Sequence, residues 1–313
     1  MMGEISFSKT SNDIQDFRNE SINYITEIQK MMYGFGDSNE PLVESAKIIE
    51  EVVLQQMRII VKKACDVADM KGASAVNAKD FIFLLRKDKV KLQRLLKYLE
   101  LKQFKASMYK ILEAEQNENT PNADIFDNSQ KLARPYNSFL EELDTTGELL
   151  ENRSVIDYVK QNRCIRAEMM TQKMDSIHYI EYSKARSISF ANKNRHKFCD
   201  WISTGGDITI SKEGYIILGY LAYETVAQIV DLAFLVRQDQ SKIHGDAIDR
   251  LRLSHMNSCT LKTFQCNKGT IVEPLTPSEI TEAIRRYWSP QLNMTGPFQR
   301  WSTRPNHLKL FAC

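Results

Sequence analysis

The sequence predicts an all-α protein in which one motif, a short helix, a long helix and another short helix, occurs twice. Three observations carry that reading. Apolar residues recur at steps of three and four from Val43 to Val67, about seven turns, and again from Leu218 to Val236. Each long run is flanked on both sides by shorter runs of the same period. The break after the first long run, Ala73 to Asn77, is only a few small or polar residues, room for a brief extended segment and no more.

A chain of 313 residues with 42% hydrophobic residues has room for two domains with buried cores. A formal net charge of +2 disfavours a strongly basic DNA-coating protein unless the charge is segregated. Six cysteines (Cys65, Cys164, Cys199, Cys259, Cys266, Cys313) are scattered without a CxxC pair, and the start MMGEISFSKT lacks the basic and apolar regions of a signal peptide. Reduced thiols in cytosol or nucleus are expected. The window Tyr215 to Val236 has the length of a membrane span, but Glu224, Gln228 and Asp231 inside it point to a buried helix of a soluble domain.

Residues 1–22 are polar and aperiodic, a tail. Ile25, Ile28, Met31, Met32 and Phe35 give one apolar helical face, closed by Gly34, Gly36, Asp37, Asn39 and Pro41. The long helix that follows runs about 28 residues, roughly 42 Å, until Gly72. Asn77 then caps a third helix bearing Ala78, Phe81, Ile82, Leu84 and Leu85. After Asp88 a further helix sets Leu92, Leu95, Leu96 and Leu99 beside a basic face of Lys87, Lys89, Lys91, Arg94, Lys97, Lys102, Lys105 and Lys110. The first unit therefore spans 23–112. Residues 113–170, rich in acids, read as a linker with room for short docking helices around Phe139 to Leu150.

The second unit spans 171–290. A helical pattern runs from Thr171 through Ile177, Ile180, Ala185, Ile188, Ala191, Phe198 and Trp201 to Ile202, and Gly205 and Gly206 end it. The second long helix follows and ends near Gln238, an inserted loop covers 239–275, and Thr276-Pro277-Ser278-Glu279 forms a capping box for a last helix through Trp288. Residues 291–313 are a C-terminal tail.

A long helix flanked by two three-turn helices leaves an apolar seam. At about 25 cal/mol per Å², roughly 600 Å² left wet forgoes on the order of 15 kcal/mol, comparable with the stability of a whole domain. Two such units crossing head to tail at their long helices bury both seams, which is the handshake of the histone fold. Both partners lie in this chain, so the expected fold is two histone folds paired intramolecularly, favoured by the high effective concentration across the linker. The pairing is assigned to Ile49, Val53, Met57, Ile60, Phe81 and Leu84 of the first unit and Leu218, Leu221, Val226 and Ile229 of the second.

The run IQKMMYGFGDSNEPLVESAKIIEEVVLQQM with GASAVNAKDFIFLLRKDKVKLQRLLKYL resembles the first histone fold of the Spt-three family, and SKARSISF, KFCDWI and LGYLAYETVAQIVDLAFLVRQD look like its second. The likeness covers about 24–112 and 171–290. The first half is also similar to TATA-binding-protein-associated factor thirteen and the second to factor eleven. The resemblance implies a nuclear, non-enzymatic subunit of a SAGA-type coactivator. Such a subunit docks other histone-fold subunits, contacts the TATA-binding protein and helps deliver it to promoters of RNA polymerase II.

Glu224 and Asp231 lie two turns apart on one face of the second long helix. Together with Gln228 and Arg237 they are assigned to a contact with the basic TATA-binding protein. The plain alternatives are an ordinary solvent face, or ion pairs with an arginine of the other fold. The basic face after Asp88, and the cluster Lys184, Arg186, Lys193, Arg195, His196 and Lys197, read as solvated surface, as a face meeting the chain's own acidic linker, or as sites for DNA phosphates. A DNA-backbone-binding histone-fold module is thus the second functional reading, with DNA contact weak or indirect in the first. His255, Cys259 and Cys266 do not have the spacing of a structural zinc site. No nucleophile has a base at a recognisable spacing, so no catalytic residue, metal, cofactor, small-molecule substrate or membrane partner is expected.

Overall fold

The computed structural model describes residues 22–116, 134–144, 147, 156–172, 174–190, 195–203, 209–243, 272–289 and 309–312. Within them lie α1 (Ile25–Gly34), α2 (Val43–Met70), α3 (Ala78–Leu84) with a one-turn continuation Leu85–Lys87, α4 (Lys89–Gln116) and α5 (Arg134–Leu143). The second half adds α6 (Tyr158–Thr171), α7 (Ser176–Arg186), α8 (Arg195–Ile202), α9 (Lys212–Ile243) and α10 (Pro277–Trp288). Among the described residues the regular secondary structure is helical apart from one isolated β-bridge, so the all-α class holds.

α2 is 28 residues long and buries Ala46, Ile49, Val53, Met57, Ile60 and Ala64, the seam its spacing predicted. Gly72 stops it in the left-handed region, φ 65°, where the Ala73 amide donates back to the Ala68 carbonyl at 3.0 Å. The break that follows has a partner. Val76 pairs in parallel with Ile210, just ahead of α9: the Val76 amide donates to the Thr209 carbonyl and the Ser211 amide to the Val76 carbonyl, both at 2.9 Å.

The opposite end of the molecule repeats this join with side chains. The buried Asp37 carboxylate, in the loop between α1 and α2, accepts from the Leu275 amide at 2.9 Å, and the Ser45 hydroxyl donates to the Leu275 carbonyl at 2.7 Å. Each inter-helix loop of one half thus meets the opposite loop of the other, as two units related head to tail must. α2 and α9 touch, α9 packs on α3 and α10, and one apolar cluster contains buried residues of both halves. The histone-fold pair is closed within a single chain.

Ile49, Val53, Met57, Ile60, Phe81, Leu218, Leu221, Val226 and Ile229 are buried in that shared cluster. Leu84 is only partly buried at its edge, and Leu85 takes the interior position because the chain tightens into a 3₁₀ turn there. α9, the window of membrane-span length, is mostly buried in this core.

The ends of the long helices are tied in the same way in both halves. Asp80, the third residue of α3 and the far end of the capping box begun by Asn77, receives Lys71 at 2.5 Å from the end of α2. Glu279, the third residue of α10 and the far end of the Thr276 capping box, receives the Arg237 guanidinium of α9 in a two-pronged pair at 2.6 and 2.7 Å.

Three segments differ from the sequence reading. The pattern from Thr171 to Ile202 is two helices, not one, since Ser187 turns its hydroxyl onto the Lys184 carbonyl at 2.7 Å and ends α7. The interval 113–170 contains α5, which overlaps the docking helices expected around Phe139 to Leu150, and beyond that expectation α6 and the end of α4. Leu140 of α5 is buried on the core. The tail ends in a docked segment: Leu310, Phe311 and Ala312 are buried, and Phe311 stacks on Tyr287 with ring centroids 4.0 Å apart. Phe311 is held by backbone bonds to the Gln56 side chain at 3.0 Å and from Lys91 at 2.9 Å. His255, Cys259, Cys266, Lys193, His244 and His307 lie outside the described residues.

Candidate functional site

Two helices, α4 and α6, meet over the outer face of α9. α6 begins at Asp157, whose carboxylate caps it by accepting from the Lys160 amide at 3.0 Å. From α4, Arg94 grips that same carboxylate with two bonds of 2.6 and 2.7 Å and reaches Glu224 of α9 at 2.8 Å. Arg163 of α6 joins Glu224 at 3.0 Å to Asp231 at 2.6 Å. Arg166, one turn on, closes the chain by pairing with Asp231 and donating to the Phe35 carbonyl at 3.1 Å. Three arginines and three carboxylates balance in charge. Their side chains keep between 10 and 20% of their surface exposed, so the network sits in a medium poorer than water at screening charge.

Burial opposes the charge on Arg163 and Arg94, but the carboxylates beside them outweigh it, and both guanidinium pKa values are raised. Burial likewise works against Asp157, and Arg94 together with the Lys160 amide still holds its carboxyl below the ordinary 3.8. A carboxyl depressed on folding contributes stability that is present above the unfolded pKa and is lost as pH falls through the folded value. The join at Asp157 is therefore acid-labile, below about pH 4.

The arginines also explain why α6 escaped the hydrophobic period. Its inward positions are Arg163, Arg166 and Ala167, while Tyr158, Val159, Ile165 and Met169 point outward. Polar anchoring replaces the apolar stripe on which periodicity depends. A trace was present in the cap Asp157 and in two arginines three residues apart. Gly36, at φ 109°, makes the seat of Arg166 possible: a Cβ there would lie 2.6 Å from the Arg166 Cδ.

The structure brings Glu224, Gln228 and Asp231 onto one face and separates Arg237 from them. Gln228 lines, with Arg94, Glu224 and Phe311, a void of about 10 Å³, the size of one water molecule. Arg237 is occupied by Glu279 and by the Glu273 and Pro274 carbonyls at 2.7 and 2.8 Å, a clamp on the loop before α10. In the basic cluster of the second half, Lys197 pairs with Glu27 of α1 at 2.9 Å and covers the Tyr24 ring. Among the described residues no group of three or more His, Cys, Asp or Glu is placed to hold a metal ion.

The family model described as transcription initiation factor IID, 18 kD subunit, matches residues 22–114, the stretch that forms α1 to α4. Over nearly the whole chain the likeness is to another group. The SAGA complex subunit Spt3 of Schizosaccharomyces pombe is 27% identical over 289 residues, covering 87% of this chain and 92% of the relative. The Drosophila melanogaster protein of the same name is 28% identical over 284 residues, 85% and 67% of the two chains. Transcription initiation factor TFIID subunit 13 of Dictyostelium discoideum is 39% identical over 75 residues, 24% of this chain and 69% of the relative. The chain belongs to the Spt3 and TFIID-subunit-13 family of histone-fold proteins. In family terms, the first half carries the fold shared with subunit 13, and the alignment with Spt3 extends through the second fold that closes on it.

Proposed function

We propose that this protein is a nuclear, non-enzymatic coactivator subunit that works in a SAGA-type complex as a histone-fold adaptor. It docks other histone-fold subunits and contacts the TATA-binding protein, helping to regulate its delivery to promoters of RNA polymerase II. The observation that carries this reading is the closed internal pair, joined at Val76–Ile210 and at Asp37–Leu275, in a chain aligned over most of its length with Spt3. A pair whose seams are already filled needs no further histone fold to complete its core and can meet other subunits through its surface.

The contact with the TATA-binding protein is assigned to the α9 face of Glu224, Gln228 and Asp231, whose carboxylates a basic partner would reach by displacing Arg94, Arg163 and Arg166. Arg237, turned to Glu279 and the loop before α10, stands apart from that face. Binding of purified TATA-binding protein to the full chain tests the assignment. The pair Glu224→Lys and Asp231→Lys is expected to weaken binding by more than about tenfold, since like charges then oppose a basic partner. Unfolding curves of the charge-reversed pair, measured alongside, separate lost contact from lost folding, because Arg94, Arg163 and Arg166 hold these two carboxylates in the folded chain. Unchanged binding in the charge-reversed pair removes this face from the proposal.

A further inference from the structure

α4 carries two apolar stripes that face opposite ways. Leu92, Leu95 and Leu99, in its first half, are buried on the core. Leu101, Phe104, Met108 and Leu112 follow at steps of three and four, and at 3.6 residues per turn their stripe lies roughly half a turn round from the first. A helix cannot lay both on one core, and these four side chains are 37 to 58% exposed. Tyr109, beside them, is 66% exposed. The stripe extends three turns, about 16 Å, a larger continuous apolar feature than a surface helix needs for its own fold.

Charge selects what covers it. The exposed Lys97 and Lys105 lie on the same side of the helix as the stripe, Lys102 lies along its edge over the Tyr98 ring, and Glu100 is the single acid between Lys97 and Leu112. Lys105 also borders an open cleft of about 580 Å³ between α4, α6 and α7, where Arg186 adds another cation opposite Glu168. We propose that the second half of α4 is a docking face for an acidic amphipathic helix of another protein. Its apolar residues at i, i+3 or i+4, and i+7 would seat on Leu101, Phe104, Met108 and Leu112, with its carboxylates meeting the lysines. A second copy of the chain fits less well, because its own lysines would oppose these. The backbone of a nucleic acid would gain nothing from the apolar centre.

This face is distinct from the carboxylate face of α9, and its test is separate. The full chain is titrated against a fluorescent synthetic helix of about five turns with Leu and Phe on one side and Glu or Asp elsewhere. A twin carries Lys for every acid. The acidic peptide is expected to bind at least about tenfold more tightly than its lysine twin, and Leu101→Ser/Phe104→Ser/Met108→Ser to lose about tenfold or more. Lys97→Glu/Lys105→Glu is expected to lose about fivefold and to flatten the dependence on salt. Because every altered side chain is exposed, unfolding curves should match the parent; if the serine variant is destabilised, the glutamate pair and the peptide twins still decide. Three results overturn the proposal. They are equal binding of both peptides, self-association abolished by the serine variant, or binding of duplex DNA through Lys97 and Lys105 with no affinity for the acidic peptide.

Discussion

Replacing Val226 by aspartate should abolish the folded pair. Val226 is fully buried in α9, within the apolar cluster that α2 and α9 share. The substitution removes about 1.5–3 kcal/mol of apolar burial. It also places a carboxyl in a medium that penalises its charge by several kcal/mol more, whether it stays ionised or takes up a proton. The total approaches the whole stability of an ordinary domain. Circular dichroism and denaturant titration should show the cooperative transition lost or moved to very low denaturant. Val226→Ala, which only opens a small space, should cost about 1–3 kcal/mol and retain the fold. A Val226→Asp chain as stable as the parent would mean that this side chain is not inside the seam.

Phe311→Ala is expected to destabilise the chain by about 3–5 kcal/mol, as removal of a buried phenyl ring does. The position lies in a stretch that carries no helical or strand period in the sequence. Here the ring stacks on Tyr287 of α10, the Tyr287 hydroxyl donates to the Leu310 carbonyl at 2.7 Å, and Gln56 and Lys91 of the first half hold the Phe311 backbone. The tail therefore ties α10 to α2 and α4 across the two folds. Denaturant midpoints should fall with an unchanged slope, and Phe311→Leu should recover most of the loss. Parental stability in Phe311→Ala would show that the tail contributes no packing.

How legible this was depended on what kind of force holds each element. The long helices were plain in the sequence because α2 and α9 bury apolar residues at helical period, and the seam at Ile49, Val53, Leu218 and Ile229 followed from that period alone. The Gly72 to Asn77 break was informative because a loop too short for its own core has to pair with something, and Ile210 is what it pairs with.

α6 was hidden in an acidic interval because arginines anchor it, and an ionic anchor has no period. Phe311 was hidden because four residues are too few to show any pattern. Glu224 and Asp231 stood out as charges on an apolar helix, but which arginines meet them depends on how α4 and α6 cross α9, a tertiary fact. Arg237 looked like part of the same surface by spacing; its turn toward Glu279 is set by the capping box of α10, 42 residues on.

The central claim is that the two halves of the chain are one another's partner. It is tested most directly by inserting a specific protease site between residues 117 and 133, cutting it to completion and measuring the mass of the native product. The account expects both fragments to stay together, at micromolar concentration and without denaturant, at about the mass of the intact chain, 36.2 kDa. Fragments that separate under native conditions, or that each assemble with copies of themselves, would contradict it.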